Sequence, residues 1–155
     1  MARRSEGGLS LIEVILALGL LGGVLISIAG MFILSERQVK SGKTATQALA
    51  VARTITEEIT GWGFRQTYQV FGSDGAATSY TYDTQVNSYA AKWQTMLDDS
   101  LELGSHATIL VASVEPSGGG GAPALNVARA IRVTVTVFWA EGARNRSVRV
   151  MTVRQ

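Results

Sequence analysis

The sequence predicts an α+β fold in which a long N-terminal helix lies on a small antiparallel sheet. Three observations predict it. Residues Leu9 to Leu34 form an apolar run that carries one charge, Glu13. From Ser35 to Thr60 the chain turns polar, yet Ala45, Ala48, Leu49, Ala52, Ile55 and Ile59 recur at helical spacing, and no Pro separates the two stretches. From Thr108 onward, β-branched residues alternate with polar ones at the period of a half-buried strand.

The apolar run comes first. About 26 residues at a rise of about 1.5 Å each are enough to cross a hydrocarbon core of about 30 Å. Glu13 sits near the N-terminal edge of that run, where a carboxylate is costly unless a cation pairs with it. Arg3 and Arg4 precede the run against a single acid, Glu6. That bias holds the N-terminus in the cytoplasm and sends the C-terminal part outward. A secretory signal peptide has an apolar core of about 7 to 15 residues followed by a small-residue cleavage site. This run is longer and keeps Glu13 inside it. A plain single-pass anchor accounts for the hydrophobicity and leaves the order Gly8-Leu9-Ser10-Leu11-Ile12-Glu13 unexplained.

Gly8 followed by Leu9-Ser10-Leu11-Ile12-Glu13 resembles the type IV prepilin (class III) signal. Leu9 stands where that family more often has Phe. The resemblance implies a leader, residues 1–8, removed by a prepilin peptidase between Gly8 and Leu9, and N-methylation of the new terminus at Leu9. It also implies that Glu13 pairs with the N-terminal amine of a neighbouring subunit, so that Leu9 and Glu13 are the docking residues. Their i, i+4 spacing places both groups on one helix face. The implied architecture is the type IV pilin fold: residues 9–34 as the transmembrane half of the long helix, 35–61 as its amphipathic half, and 62–155 as a globular domain.

The start Leu9 to Leu18 and the Cys-free C-terminal meander ending in Arg146 to Thr152 are most similar to PilV-like minor pilins and type II secretion I-like minor pseudopilins. That likeness implies a structural subunit and not an enzyme. Such a subunit joins a minor-pilin complex that primes type IV pilus assembly and sits at the pilus tip. A minor pseudopilin of a type II secretion system is the alternative, and a DNA- or surface-binding pilin module the second alternative. The implied partners are other minor pilins, the major pilin, the prepilin peptidase, the inner-membrane assembly platform and a tip adhesin. The implied location is the inner membrane, single-pass with the C-terminal domain outside the cytoplasm, and then the filament at the cell surface.

Within the run, Gly19, Gly22, Gly23 and Gly30 each weaken the helix by roughly 0.5–1 kcal/mol relative to Ala. Gly19 and Gly23 also form a small-xxx-small pair suited to close helix approach. Gly22, Gly23 and Gly30 mark a stretch able to melt when the subunit leaves lipid. Pilins often carry Pro at the position of Gly30, so deformation is expected here in place of a fixed kink.

In the amphipathic half, Arg37, Lys40, Lys43, Arg53, Glu57 and Glu58 form the solvated face, and Gly61 is the expected C-cap. Trp62 and Phe64 pin the next loop to the core. From Gly72 to Asp83 the chain reads as a polar, turn-rich loop. Asp74 and Asp83 there lack the pattern of an EF-hand calcium site. Tyr89, Trp93, Met96, Leu97 and Leu101 predict a second helix over Val86 to Leu103, with Asp98, Asp99 and Glu102 on its exposed face.

Strands are expected over Thr108 to Val114 and Ala128 to Trp139, joined by a flexible Ser117 to Pro123 stretch. That stretch lacks the Lys-Ser/Thr of a phosphate-binding loop. A turn at Glu141-Gly142 leads to a return strand over Arg146 to Val153, setting Val148 and Val150 opposite Val135 and Val133. The sheet packs its apolar face on the Ala/Ile stripe of the helix.

The hairpin region carries Arg129, Arg132, Arg144, Arg146, Arg149 and Arg154 against Glu141. Arg144, Arg146 and Arg149 are the candidate polyanion contact, including nucleic acid, although edge-protecting charge on a solvated sheet accounts for them as well. His106, the one histidine, has no Cys or His partner, and the chain has no Cys at all. No cofactor or metal is expected, and no nucleophile stands beside a base. A net charge of +2 says little about partners.

Overall fold

Apolar and small residues without an interrupting Pro build one uninterrupted helix, α1 (Leu11–Gly61), in the computed structural model, which describes residues 10–101, 104–114 and 121–155. The remaining elements are α2 (Gln66–Gln69), β1 (Ser79–Asp83), α3 (Ala91–Ser100), β2 (His106–Ser113), β3 (Ile131–Glu141) and β4 (Arg144–Arg154). The strands form one antiparallel sheet in the order β1-β2-β3-β4. The layout is α+β, a long apolar N-terminal helix together with a four-stranded antiparallel sheet. The chain divides into two compact units, one ending at Ser41 and the other running from Gly42 to Gln155. Residues 42–61 of α1 therefore belong with the sheet.

In that second unit, Ala48, Val51, Ala52, Ile55 and Ile59 of α1 join Ile109, Val111, Val133, Val135 and Val137 of the sheet in one buried core. The expected stripe is shifted: Ala45 is exposed, Leu49 is half-buried, and Val51 and Thr56 are buried instead. Thr56 is tolerated because its hydroxyl donates to the Ala52 carbonyl at 2.7 Å. Leu101 and the partly buried Met96 pack against the same core.

Several boundaries differ from the sequence reading. α3 starts at Ala91, not Val86, because side chains capture the preceding backbone. Asp83 Oδ1 accepts the Gln85 N–H at 2.8 Å and Asn87 Oδ1 accepts the Tyr89 N–H at 3.0 Å, giving consecutive turns. Tyr89 is exposed as a result. The helix ends at Ser100, where Leu101 turns extended (φ −125, ψ 176). Glu102 and Leu103 lie outside the described residues, as does 115–120, which holds Pro116 and most of the Gly-rich connection.

The expected loop before Asp83 contains β1, whose Tyr80 and Tyr82 pair with Val111 and Ile109. Gly75 in the same loop has φ +77, and a Cβ there would stand 2.6 Å from Tyr68 Cε2, so the backbone and the ring occupy the space together. Gly61 does not take the left-handed cap conformation, since only Gly72, Gly75, Gly104, Gly121 and Gly142 have positive φ among the described residues. In its place Trp62 N–H donates to the Ile59 carbonyl at 3.2 Å, and Arg154 Nη1 reaches the same carbonyl at 3.3 Å and Thr67 Oγ1 at 3.1 Å. A cation at a helix C-terminus is favoured by the helix dipole.

The hairpin turn is Gly142-Ala143, one residue later than expected. Gly142 at its first central position has φ +59, the requirement of a type II′ turn. Val150 therefore faces Val135 and Val148 faces Val137, a slip of two residues from the expected register. A slip of two preserves face parity, so the apolar faces coincide as anticipated.

Candidate functional site

The first half of α1 is the apolar segment that the sequence singled out. Its Leu, Ile, Val, Phe and Met side chains are exposed throughout, from Leu11 at 81% down to Val14 at 43%. By length and composition this stretch could cross a membrane, and none of it is buried inside the protein. Glu13 lies in its first turn and borders a shallow apolar groove with Val14, Ala17, Leu18 and Leu21. The Ser10 carbonyl accepts the Glu13 N–H at 2.9 Å and the Val14 N–H at 3.2 Å, which starts the helix. A carboxylate in a helix's first turn also meets the favourable end of the helix dipole. Gly8 and Leu9, the expected cleavage, methylation and docking positions, lie outside the described residues.

Gly22, Gly23 and Gly30 stand inside continuous helix. A Cβ at any of them would meet nothing within 4 Å, so no close approach within the chain demands glycine there. The Gly23 carbonyl accepts a second bond from the Ser27 hydroxyl at 2.9 Å. Such i−4 back-bonding bends and weakens helices slightly. The glycines add flexibility where packing within the chain adds no restraint.

The hairpin arginines do not form one patch. Alternation along β4 puts Arg144 and Arg146 on the face of Val148 and Val150, which pack against the core, and Arg149 on the opposite face with Met151 and Val153. Arg146 Nε also bonds Glu141 Oε2 at 3.0 Å. Arg129 and Arg132 are exposed, and Arg154 caps α1 as described. His106 stacks on Phe138 with ring centroids 5.0 Å apart. Asp98 and Asp99 are exposed, with Gln94 Nε2 donating to Asp98 Oδ1 at 2.8 Å.

Asp74 and Asp83 serve the loop they sit in. Asp74 Oδ1 accepts the Ala76 N–H at 2.9 Å and the Tyr80 hydroxyl at 2.7 Å, which hold its carboxyl below the usual range. Among the described residues no group of three or more His, Cys, Asp or Glu stands together to hold a metal ion.

Sequence reasoning placed Glu58 on the solvated face, but tertiary packing puts it in a clasp. Its carboxylate accepts from Lys92 Nζ, and from Trp93 Nε1 at 2.7 Å. The Lys92 ammonium lies 4.9 Å from the Trp93 ring centroid and 5.6 Å from that of Trp62, within cation–π range. Desolvation raises the Glu58 pKa, but the Lys92 and Trp93 hydrogen bonds and the Lys92 charge outweigh it, and the net shift is downward. Trp62 and Phe71 complete an aromatic group around Trp93, with centroids 6.0 Å from it in each case. The partners come from 34 and 35 residues away, so no local pattern announces them.

Comparison with protein-family models, with curated proteins and with solved structures returns no match.

Proposed function

We propose that this chain is a minor pilin, a structural subunit that is cut after Gly8, methylated at Leu9 and assembled with other minor pilins into a complex that primes a type IV pilus at its tip. The observation that carries this reading is α1: a wholly exposed apolar segment bearing Glu13 runs without a break into a helix whose later turns are buried in a folded unit. A helix of that kind has one solvent before assembly, the bilayer, and a second after it, the packed helices of a filament. Glu13 tolerates both only with a cation beside it, and the new amine of a neighbouring subunit's first residue supplies one. In this reading the prepilin peptidase and an inner-membrane platform act on the chain first, the C-terminal unit lies outside the cytoplasm, and the major pilin follows.

The test is the intact mass of the protein recovered from membranes and from sheared filaments, with Glu13→Val beside the wild type. Loss of residues 1–8, a methyl group on Leu9 and presence in the sheared fraction are expected, with Glu13→Val processed but retained in the membrane. An uncut chain confined to membranes overturns the reading and leaves an anchored domain.

A further inference from the structure

We propose that the outer face of the sheet is a docking surface for an acidic protein segment that carries apolar side chains between its carboxylates. The face turned away from the core holds a trough of about 480 Å³. Thr134 and Thr136 of β3 form its floor, Leu110 and Met151 its apolar walls, and Arg132 and Arg149 its two cations. Thr134 and Thr136 keep only 9% and 7% of their surface exposed. Their neighbours on the face shield them, so the floor is shaped by side chains and not left flat. Met151 is 58% exposed and Val153, beside it on the same face, 53%.

Charge decides the occupant. Among the described residues, no acidic one lines the trough. Among the described residues, neither the Arg132 nor the Arg149 guanidinium takes part in a hydrogen bond or ion pair. Asp83, opposite Thr108 on this face, accepts the Gln85 N–H. Two guanidinium groups with unused donor forks favour carboxylates, which they bind in bidentate fashion. Arg149 pairs with Thr136, four residues along β3 from Arg132, so the two cations stand about 14 Å apart along the strand direction. An extended segment with acids at i and i+4 and an apolar residue at i+2 presents all three groups to the trough at that spacing. Nucleic acid fits less well. Its affinity grows with the number of phosphates neutralised, and two cations over a Thr, Leu and Met floor neutralise few while leaving the apolar groups unrewarded.

Docking here does not require assembly into a filament, so its test stands whether or not the chain is processed. The full chain in detergent micelles is titrated with the peptide Thr-Glu-Thr-Leu-Thr-Glu-Thr while amide resonances are followed. Shifts at Leu110, Thr134 and Met151 are expected, with a Kd below about 1 mM, and at least about tenfold weaker binding of the Gln counterpart. The double variant Arg132→Glu with Arg149→Glu loses the Glu peptide and gains the Lys counterpart, a gain that an unfolded variant cannot show. Equal binding of the Glu and Gln peptides, shifts confined to another surface, no binding at about 1 mM, or failure of the reversed variant to gain the Lys peptide each overturn the proposal. Tighter binding of a thymidine oligonucleotide at the same residues overturns it in favour of nucleic acid.

Discussion

The two halves of α1 share one backbone geometry and differ in what covers them. Before Ser41 the apolar side chains surround the helix on all sides and none is buried. After it, Ala48, Val51, Ala52, Ile55, Thr56 and Ile59 form one stripe that is fully or nearly fully buried, while Lys43, Arg53 and Glu57 are among the residues left exposed. Helix-forming residues are sufficient for both. The distribution of apolar groups around the helix decides whether the partner is the chain's own sheet or something outside the chain.

That contrast can be broken by substitution. Trp93→Ala should have the largest effect, a loss of about 3–5 kcal/mol in denaturant unfolding of the full chain in micelles, because it empties the centre of the aromatic group and strips Glu58 of a partner. A loss below about 1 kcal/mol would mean that the second half of α1 is held by the sheet alone. Ile55→Ala, at a position with no exposure, should cost about 2–5 kcal/mol. Ile26→Ala, the same change in the exposed half, should leave the unfolding free energy within about 0.5 kcal/mol of wild type. Equal effects from the two isoleucines would erase the distinction between the halves.

Smaller changes sharpen it. Gly75→Ala should cost about 1–3 kcal/mol through positive φ and the collision with Tyr68, which a thermal melt would register as a lower Tm. Arg154→Ala, which removes the cap on α1, should cost about 1 kcal/mol and speed amide exchange in the last turn before Gly61 without altering exchange near Gly23.

The smallest expected effect is pH-dependent. Glu58 has a folded-state pKa below its ordinary 4.5, so the clasp's contribution is present above that value and is lost as pH falls through the folded pKa. Glu58→Gln should flatten this acid limb in a stability–pH profile and leave the neutral range level. An unchanged acid limb would remove Glu58 from the account.

Much of the fold was legible because it rests on period and composition. The continuous helix, the β3–β4 hairpin and the shared apolar face of Val133, Val135, Val148 and Val150 follow from spacing that needs no tertiary knowledge. β1 escaped because five residues in a polar setting carry little pattern, and Tyr80 and Tyr82 reveal their role only beside β2. The start of α3 escaped because Asp83 and Asn87 capture backbone N–H groups that a helix would otherwise use. As for the candidate sites, Glu13 and the apolar segment were read directly, whereas the three hairpin arginines looked like one cluster until strand alternation separated Arg149 from Arg144 and Arg146.

By itself the sequence determined the elements whose signal is periodic: an apolar stretch long enough for a bilayer, an amphipathic continuation and a paired hairpin. It also determined the parity of that hairpin, since a slip of one residue would expose the valines. Only the tertiary structure decided the exact register, through the two-residue turn at Gly142, the clasp of Glu58 with Lys92 and Trp93, the arginine cap on α1, and the placing of Arg132 and Arg149 on one sheet face. The physical reason is range. Periodicity is a property of neighbours along the chain, while a hydrogen bond between residues 35 or 95 positions apart exists only once the packing has brought them together.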